Sequence, residues 1–183
     1  MSRSLWYQLA VAPAVVMVAS PAAATDYLTI AQAQRALVPQ ARDFRPFPVS
    51  LSDQQRKQIR KLSGTPQRNS EPKVWQAVDG GKPLGWVYVD EVIGKHEYIT
   101  YAAALSPDGH VLGVEIISYR ESKGGQVRNE RWREQFNGKS LPDRLRLGKD
   151  IANISGATLS CRNITDGVKR LLALQSVLQS DAG

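Results

Sequence analysis

Apolar residues change their spacing twice along this chain. Between residues 25 and 38, Leu28, Ile30, Ala31, Ala33, Ala36 and Leu37 recur at helical intervals, and Pro39 stops the run. The stretch Phe44-Arg45-Pro46-Phe47-Pro48 reads as extended, because each proline disfavours helix in the residue before it. Ser52, with Gln55 three residues on, has the form of a capping box and starts a second helix over 53–62, closed by Ser63-Gly64. A polar loop, 65–72, follows. From Lys73 the period drops to two, predicting strands over 74–78, 84–93, 98–105 and 111–119. In the second of these, Trp86, Tyr88 and Asp90 face one way and Val87, Val89 and Glu91 the other. The turns are Asp79-Gly80-Gly81-Lys82-Pro83 and Ser106-Pro107-Asp108-Gly109. Residues 129–136 return to helical spacing with Trp132 and Phe136 on one side, 141–148 is irregular and basic, and Ile164, Val168, Leu171, Leu172 and Leu178 share one side of a final helix. Four consecutive strands make an antiparallel meander of which one face must be covered. The flanking helices are the available cover, so the expected fold is α+β with a single domain.

Composition narrows this picture. The 183 residues, 42% apolar and 22% charged, suit one globular domain with a modest core. The net charge of +7 is spread along the chain without an aromatic-rich basic stripe, so no nucleic-acid partner is expected. A basic surface suits anionic lipid or an acidic redox partner. Cys161 is the only cysteine, which excludes an internal disulfide, a CxxCH haem site and a cysteine zinc cluster; with two histidines no metal centre is expected. Residues 1–24 resemble a signal peptide: Arg3, an apolar run over 9–19, and Pro21-Ala22-Ala23-Ala24 before Thr25. The expected organisation is a signal peptide over 1–24, an N-terminal helical extension over 25–72 and the main domain over 73–178, exported to the periplasm, with association at a membrane left open.

The candidate chemistry lies in Ile154-Ser155-Gly156-Ala157-Thr158-Leu159-Ser160, a small-residue loop entering the last helix. A helix N-terminus carries unpaired N–H groups and partial positive charge, which suits a phosphate. Gly156 and Ala157 allow close approach of a ligand. On spacing alone the same residues also make a turn with Thr158 or Ser160 as helix cap. Cys161 is either a thiol activated by the helix N-terminus or a small packed residue. Lys95-His96-Glu97 concentrates titratable groups at a strand start, as a proton-handling group or a polar turn.

The run Ser155-Gly156-Ala157-Thr158-Leu159-Ser160 resembles the flavinylation motif of the FMN-binding domain family, which includes the C subunit of the sodium-pumping NADH:quinone reductase and the G subunit of the Rnf complex. Glu121-Ser122-Lys123-Gly124-Gly125 is similar to the family's Glu-Thr-x-Gly-x-Gly loop, and Gln135-Phe136-x-Gly138-Lys139 to its Gln-Phe-x-Gly-Lys segment. The resemblance implies FMN esterified through its phosphate to Thr158 by a dedicated flavin transferase. It implies further contacts from Ser155, Gly156, Ala157, Leu159, Ser160, Glu121, Ser122, Gly124, Gly125 and Lys139. The implied protein is an electron carrier without a catalytic residue of its own, working with a membrane-associated redox partner. Ala152 departs from the family pattern, standing where an aspartate assists attachment. The alternative is a flavin-free periplasmic binding or assembly module of the same fold.

Overall fold

A computed structural model describes residues 25–121 and 123–181; the signal-peptide expectation for 1–24 and the site candidate Ser122 lie outside the described residues. The four expected strands are present as β3 (Lys73–Asp79), β4 (Lys82–Ile93), β5 (Tyr98–Leu105) and β6 (Val111–Tyr119). Two more join them. β1 (Thr25–Asp26) pairs with the end of β6, and β2 (Asp43–Pro46) pairs with β3, giving a six-stranded antiparallel sheet in the order β1-β6-β5-β4-β3-β2. The fold is α+β, as expected, with the four-strand meander at the centre of the sheet and β1 and β2 added at its edges. A two-residue strand has no period to read. β2 carries Pro46 at its end, where an edge strand accommodates a residue without an N–H.

Helix α1 (Ile30–Leu37) begins at Thr29 and α2 (Asp53–Ser63) at Ser52, each through a complete capping box with the glutamine three residues on. Gly64 closes α2 in the left-handed conformation, φ 76°. Short α3 (Glu130–Arg133) stands between two 3-10 turns, Gly125–Arg128 and Glu134–Phe136, and long α4 (Thr158–Asp181) ends the chain.

The sheet is covered on both faces, not one. On one side α1 packs Ala33 and Leu37 against Ala77, Val87, Val89, Ala102, Ala104 and Ile117. The alanines keep this face shallow, and Gly113 lacks a Cβ that would stand 2.9 Å from a Leu37 methyl. On the other side α2 and α4 bury Ile59, Ile164, Val168, Leu171 and Leu174 over Tyr88, Val92, Ile99, Tyr101 and Leu105. There Gly167, in mid-helix, clears the Tyr101 hydroxyl, which would lie 2.3 Å from a Cβ. That hydroxyl donates to Asp90 Oδ2 at 2.8 Å, and Asp90 is also paired with Arg170 of α4. The helix propensity lost at Gly167, about 1 kcal/mol, is the cost of seating this trio.

Candidate flavin site

The end of β6, the loop after it and the loop that enters α4 meet around an open hollow of about 950 Å³, lined by Tyr27, Tyr119, Glu121, Gly124, Arg128 and Ser155 among others; Thr158 and Leu159 follow Gly156 in the chain and are not part of the lining. Tyr119 ties these pieces together. Its hydroxyl donates to the Lys123 carbonyl at 2.6 Å, so the 3.1 Å bond to Ser160 has Ser160 Oγ as donor. Burial, with the Glu121 charge adding, pushes the Tyr119 phenol above its ordinary range, so it stays a neutral donor. Gly124 is wedged between the two loops with φ 90°. A Cβ there would lie 2.5 Å from the Tyr119 hydroxyl and 3.0 Å from the Ala157 methyl. Gly124 therefore serves both the turn and the close approach of residues 33 positions apart in sequence (124 and 157).

The structure brings most of the candidate residues to this place, in differing roles. Ser155 and Gly156 are exposed and line the hollow, Gly156 at φ 80°. Ala157 is buried and its N–H closes a turn to Ile154. Thr158, the first residue of α4, is exposed, and its Oγ1 accepts from Asn153 Nδ2 at 3.2 Å. Leu159 is 43% exposed beside it. Ser160 turns inward to Tyr119, so it does not cap the helix. Ala157, which precedes the helix, has no side-chain oxygen to cap the first-turn N–H groups. Gly124 and Gly125 line the hollow from the opposite side.

Two candidates stand elsewhere than expected. Glu121 turns its carboxylate to the β4–β5 turn, where Oε1 accepts from the backbone N–H groups of His96 and Glu97. Desolvation alone would raise this carboxyl, but the amides of Glu97, His96 and Lys95 outweigh it and hold it below the usual range. Gly94 makes room for this contact, since a Cβ there would come within 2.6 Å of Oε1. Lys95-His96-Glu97 is accordingly a polar turn held by Glu121. Lys139 is not brought to the hollow. Its carbonyl accepts from Val111 N–H at 2.8 Å, at the start of β6, whereas the hollow lies at that strand's other end, about 26 Å away at the rise of a β-strand.

The Gln135-Phe136 segment acts through the backbone of the loop before α4. Gln135 Oε1 accepts from Ala152 N–H at 2.8 Å, and Trp132 Nε1–H donates to the Ala152 carbonyl at 2.7 Å. Asp150, near the place of the missing aspartate, accepts from Arg146 N–H at 2.9 Å and closes its own turn. Cys161 is fully buried, and burial pushes its thiol up, which removes it from the candidate nucleophiles.

Sequence reasoning missed Tyr27 and Arg128. The Arg128 guanidinium stacks 3.9 Å over the Tyr27 ring. They are 101 positions apart in sequence (27 and 128), and only the pairing of β1 with β6 brings them together. A second hollow, about 530 Å³, lies between the 65–69 loop, β4 and α4; the half-buried Asp90–Arg170 pair lines it. Among the described residues no group of three or more His, Cys, Asp or Glu is placed to hold a metal.

Comparison with known proteins bears on the first hollow. A family model described as FMN-binding domain matches residues 94–173. The chain is 32% identical over 106 residues to the G subunit of the proton-translocating ferredoxin:NAD(+) oxidoreductase complex of Clostridium ljungdahlii, covering 53% of this chain and 57% of that one. It is 30% identical over 123 residues to the G subunit of the ion-translocating oxidoreductase complex of Stutzerimonas stutzeri, covering 60% and 54%. The chain thus spans little more than half the length of these curated relatives. The crystal structure of Shewanella oneidensis NqrC superposes with a TM-score of 0.50 at 20% identity, over 79% of this chain and 73% of that one, a likeness of fold. The matched region holds the glycine loop, the Gln135 segment and the Ser155–Ser160 run in one continuous unit, and the match of residues 94–173 to the FMN-binding domain model indicates FMN as the cofactor.

Proposed function

We propose that this chain is an exported electron-transfer flavoprotein that carries FMN through a phosphoester at Thr158, installed by a flavin transferase, and passes electrons between membrane-associated redox partners. The observation that carries this reading is the state of Thr158. It alone among the loop hydroxyls combines an exposed residue with a place in the first turn of α4, where no side chain among the described residues accepts from the N–H groups of Leu159 and Ser160. Ser160 is committed to Tyr119, and Ser155 precedes the helix. The hollow suits the cofactor in size, since small-molecule sites run to about 1,000 Å³. It also offers two glycine backbones without Cβ atoms and the cations Lys123 and Arg128.

Bound FMN supplies the one- and two-electron chemistry. The chain supplies placement. The N–H groups of Leu159 and Ser160 would hold the phosphate, Gly124 and Gly125 would present backbone to the ring, and Tyr119 locks the two loops in register. A tether removes the cost of association each time and keeps the site filled where free cofactor is scarce. The relatives carry names of ion-translocating redox complexes, which supports a membrane-bound partner here. No helix among the described residues is long and apolar enough to cross a membrane.

The test is intact-mass analysis of protein matured in a host with the flavin transferase. The expected result is an added FMN less one water, lost in Thr158→Ala. Survival of the adduct in that variant moves the bond to another hydroxyl. One observation favours a second reading, a flavin-free binding or assembly module. Ala152 replaces the assisting carboxylate, and Asp150 is bound to its own turn. Colourless protein without added mass from the transferase host supports that reading.

A further inference from the structure

We infer that Arg128 is the fixed cation of the flavin hollow and that it raises the reduction potential of the cofactor bound there. The inference rests on the FMN reading and adds to it a role for one residue of this chain.

Arg128 ends the 3-10 turn that follows Gly124 and lines the hollow. A long exposed arginine is ordinarily free to wander. This one is held at two points. Its guanidinium lies 3.9 Å over the Tyr27 ring, and its Nε donates to the Gly125 carbonyl at 3.4 Å. Tyr27 is itself strapped to the sheet, its N–H donating to the Ile117 carbonyl at 2.9 Å. A guanidinium keeps its charge at every accessible pH. That charge is not neutralised locally, because Arg128 makes no ion pair among the described residues. Glu121, the carboxylate lining the same hollow, is engaged by the amides of the β4–β5 turn. Lys123 is the other cation there, exposed and without a side-chain partner among the described residues.

A cation fixed beside a redox ring acts on one side of its couple. Uptake of two electrons from the redox donor and one proton from solvent leaves the flavin ring with one net negative charge, and the oxidised ring has none. A preorganised positive charge favours the charged form and draws the couple toward reduction. A neighbouring unit charge at a partly screened site changes such an equilibrium by about tenfold.

The experiment uses the full chain matured with the flavin transferase, as wild type, Arg128→Gln and Arg128→Lys. FMN content is read from absorbance and intact mass, and the midpoint potential from a dye-equilibrated reductive titration. The potentials are compared on the loaded fraction of each protein. The Arg128→Gln potential should fall by about 30 mV, which is tenfold for a two-electron couple. Arg128→Lys should recover most of that loss. An unchanged potential in fully loaded Arg128→Gln overturns the inference and leaves the FMN reading intact. So does lower loading with an unchanged potential in the loaded fraction, which assigns Arg128 to the phosphate or to transferase recognition. Wild-type protein without FMN from that host overturns both.

Discussion

Glu121 shows how a site-motif residue works at one remove. Its carboxylate receives the backbone amides of the turn that starts β5, and so holds the strand feeding the hollow. Its pKa is lowered in the folded chain, so its contribution to stability is complete above the unfolded carboxyl value, about 4.3. That contribution is lost as pH falls through the lower folded value. Glu121→Gln should therefore be less stable than wild type in urea at pH 7, and the gap should close between about pH 5 and pH 3. A gap that stays constant to pH 3 would mean that the charge does not take part. The chemical type of this residue was legible in the sequence, and its direction was not. Nothing in Glu121-Ser122-Lys123 says that the carboxylate turns toward residues 96 and 97 and away from a ligand. The same holds for Ser160, whose hydroxyl belongs to Tyr119, and for Lys139, carried to the far end of β6 by its bond to Val111.

Among the elements, the capped helices and the meander were readable because their signals are local. Ser52 with Gln55 starts α2 as the pattern requires, and the alternation in 98–105 and 111–119 gives β5 and β6. Periodicity does not reveal β1, too short for a period, or the second covered face, built from alanines with little apolar weight. The motif around Gln135 was visible, but its work was not. Gln135 and Trp132 grip the two polar atoms of Ala152 and so set where the preceding loop enters α4. Gln135→Ala leaves that amide without its acceptor, at a cost of about 1 kcal/mol. It should speed hydrogen exchange at Ala152 several-fold and lower flavin occupancy, with the exchange of β5 amides unaffected. Equal exchange at Ala152 in both proteins would sink this role for the glutamine.

For the molecule as a whole, the stretch before Lys73 is part of the domain. It provides both edge strands, the cover of one sheet face, the helix that carries Ile59 into the other, and Tyr27 on the rim of the hollow. Removal of residues 1–72 should expose Val87, Val89, Ala102 and Ala104 to water and leave two sheet edges open, a template for aggregation. The truncated chain should be insoluble or molten by near-UV circular dichroism. A soluble, cooperatively unfolding fragment over 73–183 would make the earlier stretch a dispensable attachment. The family match covers residues 94–173 only, so similarity of sequence understates the folding unit.

Gly124 touches both Tyr119 and Ala157, so the walls of the hollow do not vary independently. A bulkier residue on either side has nowhere to go unless its opposite number shrinks. Descendants of this chain that reshape the cavity for another ligand have to travel through paired exchanges. Single steps at 124 or 157 lead first to a displaced loop and only afterwards, if at all, to a new specificity.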